Sequence, residues 1–461
     1  MGAYIEVTVP DMMLAREARF FMQQTMLARY PGSALVCLTM NIAGPVKVTP
    51  AIERAFCWGM DHVRAVLAGA KIQFEADIHE KTGPEAVFVF SGDAGEIKRR
   101  LCLLEDGCAM GRLLDIDVIR PDGEKISRTE IGLPARKCLL CGQDAPVCAR
   151  SRAHTVQQLF ARTHEIIDEH FAAAYARRAA QQAQRALLYE VAISPKPGLV
   201  DRANAGAHAD MDIFTFIDSA CALRDYFETC TRIGLDFRGK HPRDCFDALR
   251  TPGLVAEQAM KNATGGVNTH KGAIFSLGIY CAALGMGYDG SSSDVQQALV
   301  RCGEMTRERM AQELKRIDSQ EARTFGEEIY KRKRIGGVRA EAASGFAAVR
   351  ESSLPRLQAA LATGLSLNDA GLCALVSLMA RTQDTNAVRR GGEKLAERVR
   401  ESAQVLDARI TGHLQEGKLV RQIESIRQVL VRWDEALSER RISPGGCADL
   451  LALTLLVKFM E

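Results

Sequence analysis

The chain changes character near residue 150, and this change limits the architectures that it can adopt. Before that point, short apolar runs such as SALVCLTMNI, EAVFVF and LLDIDVI are bounded by Gly, Pro and Asp, as β-strands usually are. From about residue 151, stretches such as THEIIDEHFAAAYARRAAQQAQRALLYEVA are rich in helix formers, with apolar residues at helical spacing. The sequence therefore predicts a multidomain protein, with an α+β domain over residues 1–165 and a larger all-α domain over residues 166–461.

Length and composition agree with that division and exclude several classes of protein. At 461 residues, the chain is too long for one ordinary core. Its 60 basic and 57 acidic residues leave a formal net charge of +3, which does not indicate a nucleic-acid-binding protein. No run of about 18 apolar residues indicates a membrane span, and the N-terminus lacks the pattern of a signal peptide. We therefore expect a cytoplasmic protein that binds neither nucleic acid nor membrane, with 14 cysteines that need not pair.

The stretch GGVNTHKGAIFSLG, at residues 265–278, places two glycines and a lysine just before an apolar helix. A turn that opens a helix directs free N–H groups and the positive end of the helix dipole outward, so the stretch could bind an anion with the help of Lys271. The simpler interpretation is that Asn268 or Thr269 caps the helix and Gly272 permits close packing. The stretch alone leaves both interpretations open.

Three further polar segments interrupt the helical region: SPKPGLVDRANAGAHADM, GGVRAEAASGF and RTQDTNAVRRGG. Each offers cations suited to phosphate or a carboxylate suited to Mg²⁺, and an enzyme that handles a polyphosphate needs both. Taken singly, Asp210 could be a helix cap and His208 a packed loop residue. Together with the first stretch, the segments favour a nucleotide site. The candidates that they contribute are Lys196, Asp201, Arg202, His208, Asp210, Arg339, Glu341, Asp384, Asn386, Arg389 and Arg390.

The phrases PKPGLVDR, GAHADM, GVNTHKGAIF and DTNAVRRGG resemble the triphosphoribosyl-dephospho-CoA synthase family, called CitG, from roughly residue 175 to residue 400 or beyond. The resemblance implies that ATP is joined to 3′-dephospho-CoA with release of adenine. The ATP ribose then becomes linked through C1′ to the 2′-hydroxyl of the CoA ribose. The family usually has R-G-E-A where this chain has Arg339-Ala340-Glu341-Ala342, and alanine restricts φ at that position.

The resemblance also implies roles for these residues. Loss of adenine develops oxocarbenium character at the ribose, so a carboxylate can stabilise that charge or accept the proton of the incoming hydroxyl. Which carboxylate is the base and which holds Mg²⁺ stays open; the candidates are Asp201, Asp210, Glu341 and Asp384, with Asp384 also a candidate Mg²⁺ ligand. The candidates for binding phosphate or nucleotide are Lys196, Arg202, His208, Asn268, His270, Lys271, Arg339, Asn386, Arg389 and Arg390.

The N-terminal region contains Asp115 and Asp117 within LLDIDVI. Residues two apart on a strand point to the same face, and nucleotidyltransferases hold Mg²⁺ against a triphosphate with such a pair. Two surface aspartates on an edge strand are the simpler explanation. Nearby, Arg112, Arg128 and Arg136 match phosphate oxygens, so we interpret the pair as catalytic Mg²⁺ ligands in a nucleotidyltransferase-like domain.

This region resembles the CitX family of apo-citrate lyase phosphoribosyl-dephospho-CoA transferases over about residues 10–165, through REARFFMQQTMLARYPG, LTMNIAGPVK and the segment with the two aspartates. The resemblance implies transfer of the finished prosthetic group to a serine of the acyl carrier subunit of citrate lyase, with release of pyrophosphate. One chain would then carry two consecutive steps. The parallel pathway of malonate decarboxylase is the closer alternative, and the N-terminal resemblance favours citrate lyase.

The segment CLLCGQDAPVCARSRAH contains Cys138, Cys141, Cys148 and His154, with spacings compatible with a Cys₃His structural zinc site. No second CxxC pair follows, and the sequence favours reduced, packed thiols over zinc.

Two further interpretations involve this segment. Its arginines, Arg150 and Arg152, could help His154 to hold the pyrophosphate leaving group. A non-catalytic, zinc-containing scaffold is the alternative from another class, suggested by the cysteines and by the basic run KRKR at residues 331–334. That alternative leaves the other polar segments unexplained.

Overall fold

The computed structural model describes residues 4–319, 322, 325–333 and 336–461. The chain forms two compact units, Met1–Phe171 and Ala172–Glu461. The first mixes helices with a four-stranded antiparallel sheet and the second is largely helical, which confirms the predicted order of the two classes of structure. The last residue of the KRKR run, Arg334, lies outside the described residues. In the described ranges, no helix is both long and apolar enough to cross a bilayer.

The sheet of the first unit has the strand order β2-β3-β1-β4. The three apolar runs predicted as strands coincide with β1, β3 and β4. The edge strand β2 was not predicted, because most of its side chains are exposed and KIQFEADIHE carries little apolar signal. The strands are β1 (Ala34–Met40), β2 (Lys71–Glu80), β3 (Gly83–Ser91) and β4 (Leu114–Ile119).

Helices cover both faces of this sheet. Cys37 packs on one side with α1 residues such as Met22, whereas Leu38 packs on the other side with α2 and α3. Asp115 and Asp117 lie on the α1 side, since Asp117 is paired with Cys37 in the strand register. The helices are α1 (Val9–Arg29), α2 (Pro50–Leu67), α3 (Ala94–Gly107) and α4 (Ala145–Ser151), and α5 (Val156–Ala192) includes residues of both units.

The second unit is assembled around three helices, α10, α15 and α19, whose residues are mostly buried. Their sequences are apolar on all sides, as expected of helices surrounded by other helices. The helices that follow α5 are α6 (Ile213–Ala222), α7 (Arg224–Asp236), α8 (Pro242–Ala248), α9 (Arg250–Ala263), α10 (Lys271–Met286), α11 (Val295–Ser319), α12 (Phe325–Lys333), α13 (Gly337–Ala343), α14 (Leu354–Ala362), α15 (Leu367–Arg381), α16 (Thr385–Gly391), α17 (Glu393–Gln415), α18 (Leu419–Glu439) and α19 (Gly445–Met460).

Glycines set the distance between α7 and the central helix α10. A Cβ atom on Gly234 of α7 would overlap the carbonyl oxygen of Ala282, and one on Gly285 of α10 would overlap that of Thr231. Backbone atoms inside packed helices cannot give way as the end of a flexible side chain can. The close approach of the two helices therefore requires glycine at both positions.

We expect Gly234→Ala to lower the free energy of unfolding by about 1–3 kcal/mol, because the added methyl group forces α7 and α10 apart. Gly412→Ala in α17 is the matched control: a Cβ atom there meets no other atom within 4 Å, and alanine should stabilise that helix by about 0.5–1 kcal/mol. Denaturant unfolding of both variants measures the difference. Equal stability of Gly234→Ala and the parent protein would mean that the close contact does not constrain the packing.

Candidate active site

The four polar segments predicted from the sequence meet at one cavity of the second unit. Its volume is about 1380 Å³, above the roughly 300–1,000 Å³ of common small-molecule pockets, so it has room for more than one nucleotide-sized substrate. The predicted residues that line the cavity are Lys196, His208, Asp210, Asn268, His270, Lys271, Arg339, Glu341, Asp384, Asn386, Arg389 and Arg390.

Two predicted residues, Asp201 and Arg202, are not among the described residues that line the cavity. One carboxylate oxygen of Asp201 accepts the backbone N–H of Lys196 at 2.9 Å, and the other accepts those of Ala203 and Asn204 at 2.7 and 3.2 Å. These bonds hold the shape of the loop between α5 and α6. Arg202 is exposed on the same loop.

Lys196 is a buried residue whose ammonium group is engaged inside the protein. It donates to the carboxylate of Glu190 and, at 2.7 Å, to the backbone carbonyl of the same residue. Burial raises the pKa of Glu190, and the neighbouring ammonium opposes that rise. Lys196 therefore neutralises a buried carboxylate at the cavity wall, where both residues lie.

The carboxylate of Asp449, on α19, lies against the first turn of α10. It accepts a hydrogen bond from the backbone N–H of Ala273, and its Oδ2 lies where a Cβ atom of residue 272 would be. Gly272 is therefore required for close packing, as the simpler interpretation of the GGVNTHKG stretch states. The Oδ1 atom of Asn268 also accepts the backbone N–H of Lys271, at 3.3 Å. The beginning of α10 is thus capped by side chains of the same chain.

Asp384 caps two helices at once. Its Oδ1 accepts the backbone N–H groups of Asn386 and Ala387, at 2.8 and 3.1 Å, at the start of α16. Its Oδ2 accepts the backbone N–H of Cys447, at 2.9 Å, in the first turn of α19. Burial raises the pKa of Asp384, and these three hydrogen bonds oppose the rise.

Asp449 lies close enough to Glu190 and Asp384 for their negative charges to act on it. Burial raises the pKa of Asp449 well above its ordinary value, and the negative charges of Glu190 and then Asp384 raise it further. A desolvated carboxylate whose pKa is raised further by neighbouring carboxylates is typical of a site that receives a cation or a proton. The sequence analysis named only Asp384 of this group. In the sequence, the other two stand out only as single acidic residues within apolar runs. Asp449 lies in GGCADLLALTLL, and Glu190 lies in ALLYEVA.

Glu341 is another acidic residue on the cavity wall. Its pKa is raised by burial, and its Oε2 accepts the backbone N–H of Ala348 at 3.2 Å. The alanine that departs from the family pattern, Ala340, lies inside α13, where a helical backbone accommodates any Cβ atom. Arg381, which the sequence analysis did not name, also lines the cavity and holds the pKa of Glu341 down in part.

His270 is buried beside the cavity and uncharged. Its Nδ1 lies 2.7 Å from Oγ of Ser219, which accepts a hydrogen bond from Thr269. Its Nε2 has no hydrogen-bond partner among the described residues. Burial first, and the charge of Lys196 second, lower the pKa of the imidazole to about 3. A neutral ring can offer one N–H but no positive charge.

The remaining cations differ in how firmly they are held. Lys271 is largely exposed and its Nζ lies 2.8 Å from Glu257, whereas Arg339 pairs with Glu313 at 3.2 Å. Arg390 donates to Nδ1 of His208 at 3.2 Å, which leaves the Nε2–H of His208 to donate to Oγ of Ser443 at 2.9 Å. The pKa of His208 is lowered by burial first and by Arg390 second.

In the first unit, Asp115 and Asp117 face the same side of the edge strand β4, as predicted. Asp117 forms an ion pair of 2.5 Å with Lys125, and Asp115 lies 3.9 Å from Arg136. The negative charge of Asp117 also raises the pKa of Arg19 on α1, after the stronger effect of Glu85. The sequence analysis did not name Arg19 or Lys125, which come from other parts of the chain.

The three predicted arginines of this unit are held by nearby groups. Arg128 and Arg136 both pair with the buried carboxylate of Glu105, and Arg128 also pairs with Asp106. Arg136 additionally donates to the carbonyl oxygen of Leu114 at 2.9 Å. Arg112 donates to the carbonyl oxygen of Lys137. Of the three, Arg136 lies beside the aspartate pair.

The predicted cluster of Cys138, Cys141, Cys148 and His154 is also assembled. The four possible ligand atoms all lie within 4.8 Å of one another. The described cysteines are all free thiols.

The chain matches two known families, and the two matched ranges coincide closely with its two compact units. Residues 176–461 match the family described as CitG, ATP:dephospho-CoA triphosphoribosyl transferase. Residues 7–170 match the family described as CitX, apo-citrate lyase phosphoribosyl-dephospho-CoA transferase.

Individual proteins are similar over one or both regions. The chain is 33% identical to Protein CitXG of Haemophilus influenzae over 459 residues, which cover 98% of this chain and 96% of the relative. It is 32% identical to Protein CitXG of Leuconostoc mesenteroides over 452 residues, or 95% and 94% of the two chains. The 2-(5''-triphosphoribosyl)-3'-dephosphocoenzyme-A synthase of Pectobacterium atrosepticum is 41% identical over 278 residues, which cover 60% of this chain and 87% of that protein.

The low pKa of His270 predicts a pH dependence of stability. The imidazole has a pKa of about 6.5 in the unfolded chain and about 3 in the folded chain. Between these two values the unfolded chain binds a proton that the folded chain does not bind, so stability falls as pH falls toward 3. His270→Asn should remove this contribution. Between pH 6.5 and 5, we expect the variant to lose about 2 kcal/mol less stability than the parent protein.

Denaturant unfolding at several pH values measures this difference. The same substitution at His413, in the last turn of α17 and not among the residues lining the cavity, is the control and should keep the steeper slope of the parent protein. Parallel curves for His270→Asn and the parent would contradict the neutral, buried imidazole.

Proposed function

We propose roles for individual residues from the premise that this chain belongs to the CitXG family, with a CitX region at residues 7–170 and a CitG region at residues 176–461. The chain is a bifunctional transferase. It makes triphosphoribosyl-dephospho-CoA from ATP and dephospho-CoA and transfers the phosphoribosyl-dephospho-CoA group to apo-citrate lyase. We assign the transfer to a domain of residues 1–165 and the synthesis to one of residues 166–461.

One observation carries the proposal for the synthase site: acidic and cationic side chains of four separate segments converge on one cavity of about 1380 Å³. ATP and dephospho-CoA are both polyanions, so they need cations for binding and for charge neutralisation. The exposed ammonium of Lys271 and the guanidinium groups of Arg339, Arg389 and Arg390 provide fixed positive charge at this cavity. We assign them to the triphosphate and to the pyrophosphate of dephospho-CoA.

Glu190, Asp384 and Asp449 are the candidate Mg²⁺ ligands on the cavity wall. All three are desolvated, the charges of Glu190 and Asp384 raise the pKa of Asp449, and carboxylate oxygen is the ligand that this ion prefers. Mg²⁺ held by these residues would neutralise part of the negative charge of the triphosphate. Lys196 supports the group by balancing the charge of Glu190.

We assign the general base to Glu341. Burial raises its pKa toward the range in which a carboxylate accepts a proton efficiently near neutral pH. It would take the proton of the 2′-hydroxyl as that oxygen attacks C1′ and adenine leaves. Asp210, exposed near the same cavity, then helps to stabilise positive charge at the ribose.

Three polar residues orient the substrates. His270, kept neutral by burial, offers an Nε2–H donor, and the amides of Asn268 and Asn386 offer further hydrogen bonds at the cavity wall. Asp201 acts indirectly, because its hydrogen bonds shape the loop that carries Lys196 and His208. His208 in turn positions Arg390. Arg202 is exposed and is not among the described residues that line the cavity, so it has no direct role in this proposal.

For the first unit, we propose a nucleotidyltransferase-like site in which Asp115 and Asp117 hold Mg²⁺ against the triphosphate. Both aspartates are partly exposed, and the ion pair of Asp117 with Lys125 is exposed as well, so exchanging it for a metal costs little. Arg136 is the candidate phosphate ligand. Arg112 and Arg128 hold the segment that carries it, through their contacts with Lys137 and Glu105.

The acceptor is a serine hydroxyl of the acyl carrier subunit of apo-citrate lyase, and pyrophosphate is the leaving group. The CitX match over the first unit favours this carrier over that of malonate decarboxylase. We assign both steps to the cytoplasm, where ATP and dephospho-CoA are available.

We expect Asp449→Asn to reduce the dephospho-CoA-dependent release of adenine from ATP by at least about 100-fold, because a Mg²⁺ ligand is lost. Asp225→Asn, at an exposed position of α7, is the control and should retain activity. Chromatography of free adenine and of the CoA adduct measures the reaction. Parent-level adenine release by a well-folded Asp449→Asn variant, at the same Mg²⁺ concentration, would remove Asp449 from the site.

The two activities should separate by mutation. Asp115→Asn with Asp117→Asn should lower attachment to the apo-carrier by at least about 100-fold while adenine release continues, since only the transferase metal site is changed. Mass spectrometry of the carrier and assay of pyrophosphate report the transfer. Asp61→Asn, at an exposed residue of α2, is the control. Transfer at the parent rate by the double variant would mean that this pair does not hold the catalytic metal.

A further inference from the structure

The segment that follows Arg136 forms a small closed turn with two cysteines. The backbone N–H of Cys138 donates to the carbonyl oxygen of Gln143 at 2.8 Å, and Lys137 and Asp144 form an isolated β-bridge. Inside the turn, the backbone N–H of Leu140 points to Sγ of Cys138 at 3.4 Å. The Cys-x-x-Cys pair is therefore held in a tight loop with an N–H group directed at sulfur.

The third cysteine and the histidine come from the next element. Cys148 lies in α4, and its Sγ is 3.4 Å from that of Cys138 and 4.0 Å from that of Cys141. After α4, Arg152 adopts a left-handed conformation with φ of 49°, and the N–H of Ala153 returns to the carbonyl oxygen of Cys148 at 3.3 Å. This turn directs the next residue, His154, toward the three sulfur atoms.

His154 supplies an independent observation. Its Nε2 is buried and has no hydrogen-bond partner among the residues that the structure describes. A buried imidazole nitrogen without a partner is costly unless it binds something. All four ligand atoms lie within 4.8 Å of one another.

The distances fit a shared metal better than bonded or merely packed thiols. A disulfide requires sulfur atoms about 2.05 Å apart, and those of Cys138 and Cys148 are 3.4 Å apart. Sulfur ligands around a tetrahedral zinc, with bonds of about 2.3 Å, lie about 3.8 Å from one another. Packed thiols would also leave the His154 nitrogen unsatisfied.

We propose that Cys138, Cys141, Cys148 and His154 bind one Zn²⁺ in a closed structural site. Three thiolates and one imidazole complete a tetrahedron and leave no position for a substrate, so the metal has no direct catalytic role. It ties the turn at residues 137–144 to α4. The arginine that precedes the turn, Arg136, contacts Glu105 and lies beside Asp115, so the zinc also fixes the position of that arginine.

The test is metal analysis of the full-length chain, expressed with zinc, freed of any affinity tag and purified without chelator. We expect one zinc per chain, with Cys148→Ser and His154→Ala each lowering the content to below half of the parent value. Cys57→Ser, at an exposed free cysteine of the same unit, is the control and should retain the full content.

Cobalt gives a second readout that needs no variant. Replacement of the bound ion by Co²⁺ in the parent protein should give the intense visible absorption and the sulfur-to-metal charge transfer of a tetrahedral thiolate site. This measurement decides the matter if the variants fail to fold. Folded parent protein without stoichiometric metal, a metal content unchanged in both variants, or a Co²⁺ spectrum without thiolate charge transfer would each overturn the proposal.

Discussion

The contact between Asp449 and the first turn of α10 sets how closely α19 packs against α10 in the second unit. It exists only because residue 272 is glycine, since any Cβ atom would occupy the position of the carboxylate. Asp384 makes a second contact of the same kind by joining the beginnings of α16 and α19. Each carboxylate lies at the positive end of a helix, where its charge is stabilised. Two acidic side chains therefore connect the helix ends that form one wall of the cavity.

The contacts of side chains with the beginning of α10 limit how the GGVNTHKG stretch can bind an anion. The N–H groups at the beginning of α10 are partly used by Asp449 and Asn268. In the proposed site, side chains such as Lys271 and Arg389 bind phosphate, while the helix end stabilises carboxylates. The capping interpretation of the stretch is therefore supported by these hydrogen bonds. The anion-binding interpretation is supported because the same residues line the cavity. The negative charges of Glu190 and Asp384 raise the pKa of Asp449, so this part of the wall favours a cation or a proton.

Local patterns predicted much of this organisation, and long-range contacts explain what they missed. The division into α+β and helical regions, the strands β1, β3 and β4, and the segments around the cavity could all be read from short stretches. Asp449 could not be connected with Gly272, because 177 positions separate them in the sequence and single-sequence patterns carry no pairing information. Asp201 was a catalytic candidate because of its polar sequence segment, and its carboxylate oxygens accept hydrogen bonds from backbone N–H groups of its own loop. The spacing of the Cys/His cluster was visible in the sequence, whereas the unsatisfied Nε2 of His154 required the fold.

The two candidate sites differ in their exposure, and the chemistry of each step accounts for the difference. In the proposed mechanism, an oxocarbenium-like ribose reacts readily with water, so the synthase step is favoured by a cavity with acidic groups that are fully buried, such as Glu190, or partly buried, such as Glu341. In the proposed transfer, a serine on another protein must reach the triphosphate. The Asp115 and Asp117 carboxylates meet that requirement, because their side chains are 59% and 38% exposed on an edge strand. Buried carboxylates thus suit the small-molecule step, and an accessible pair suits the step whose acceptor is a protein.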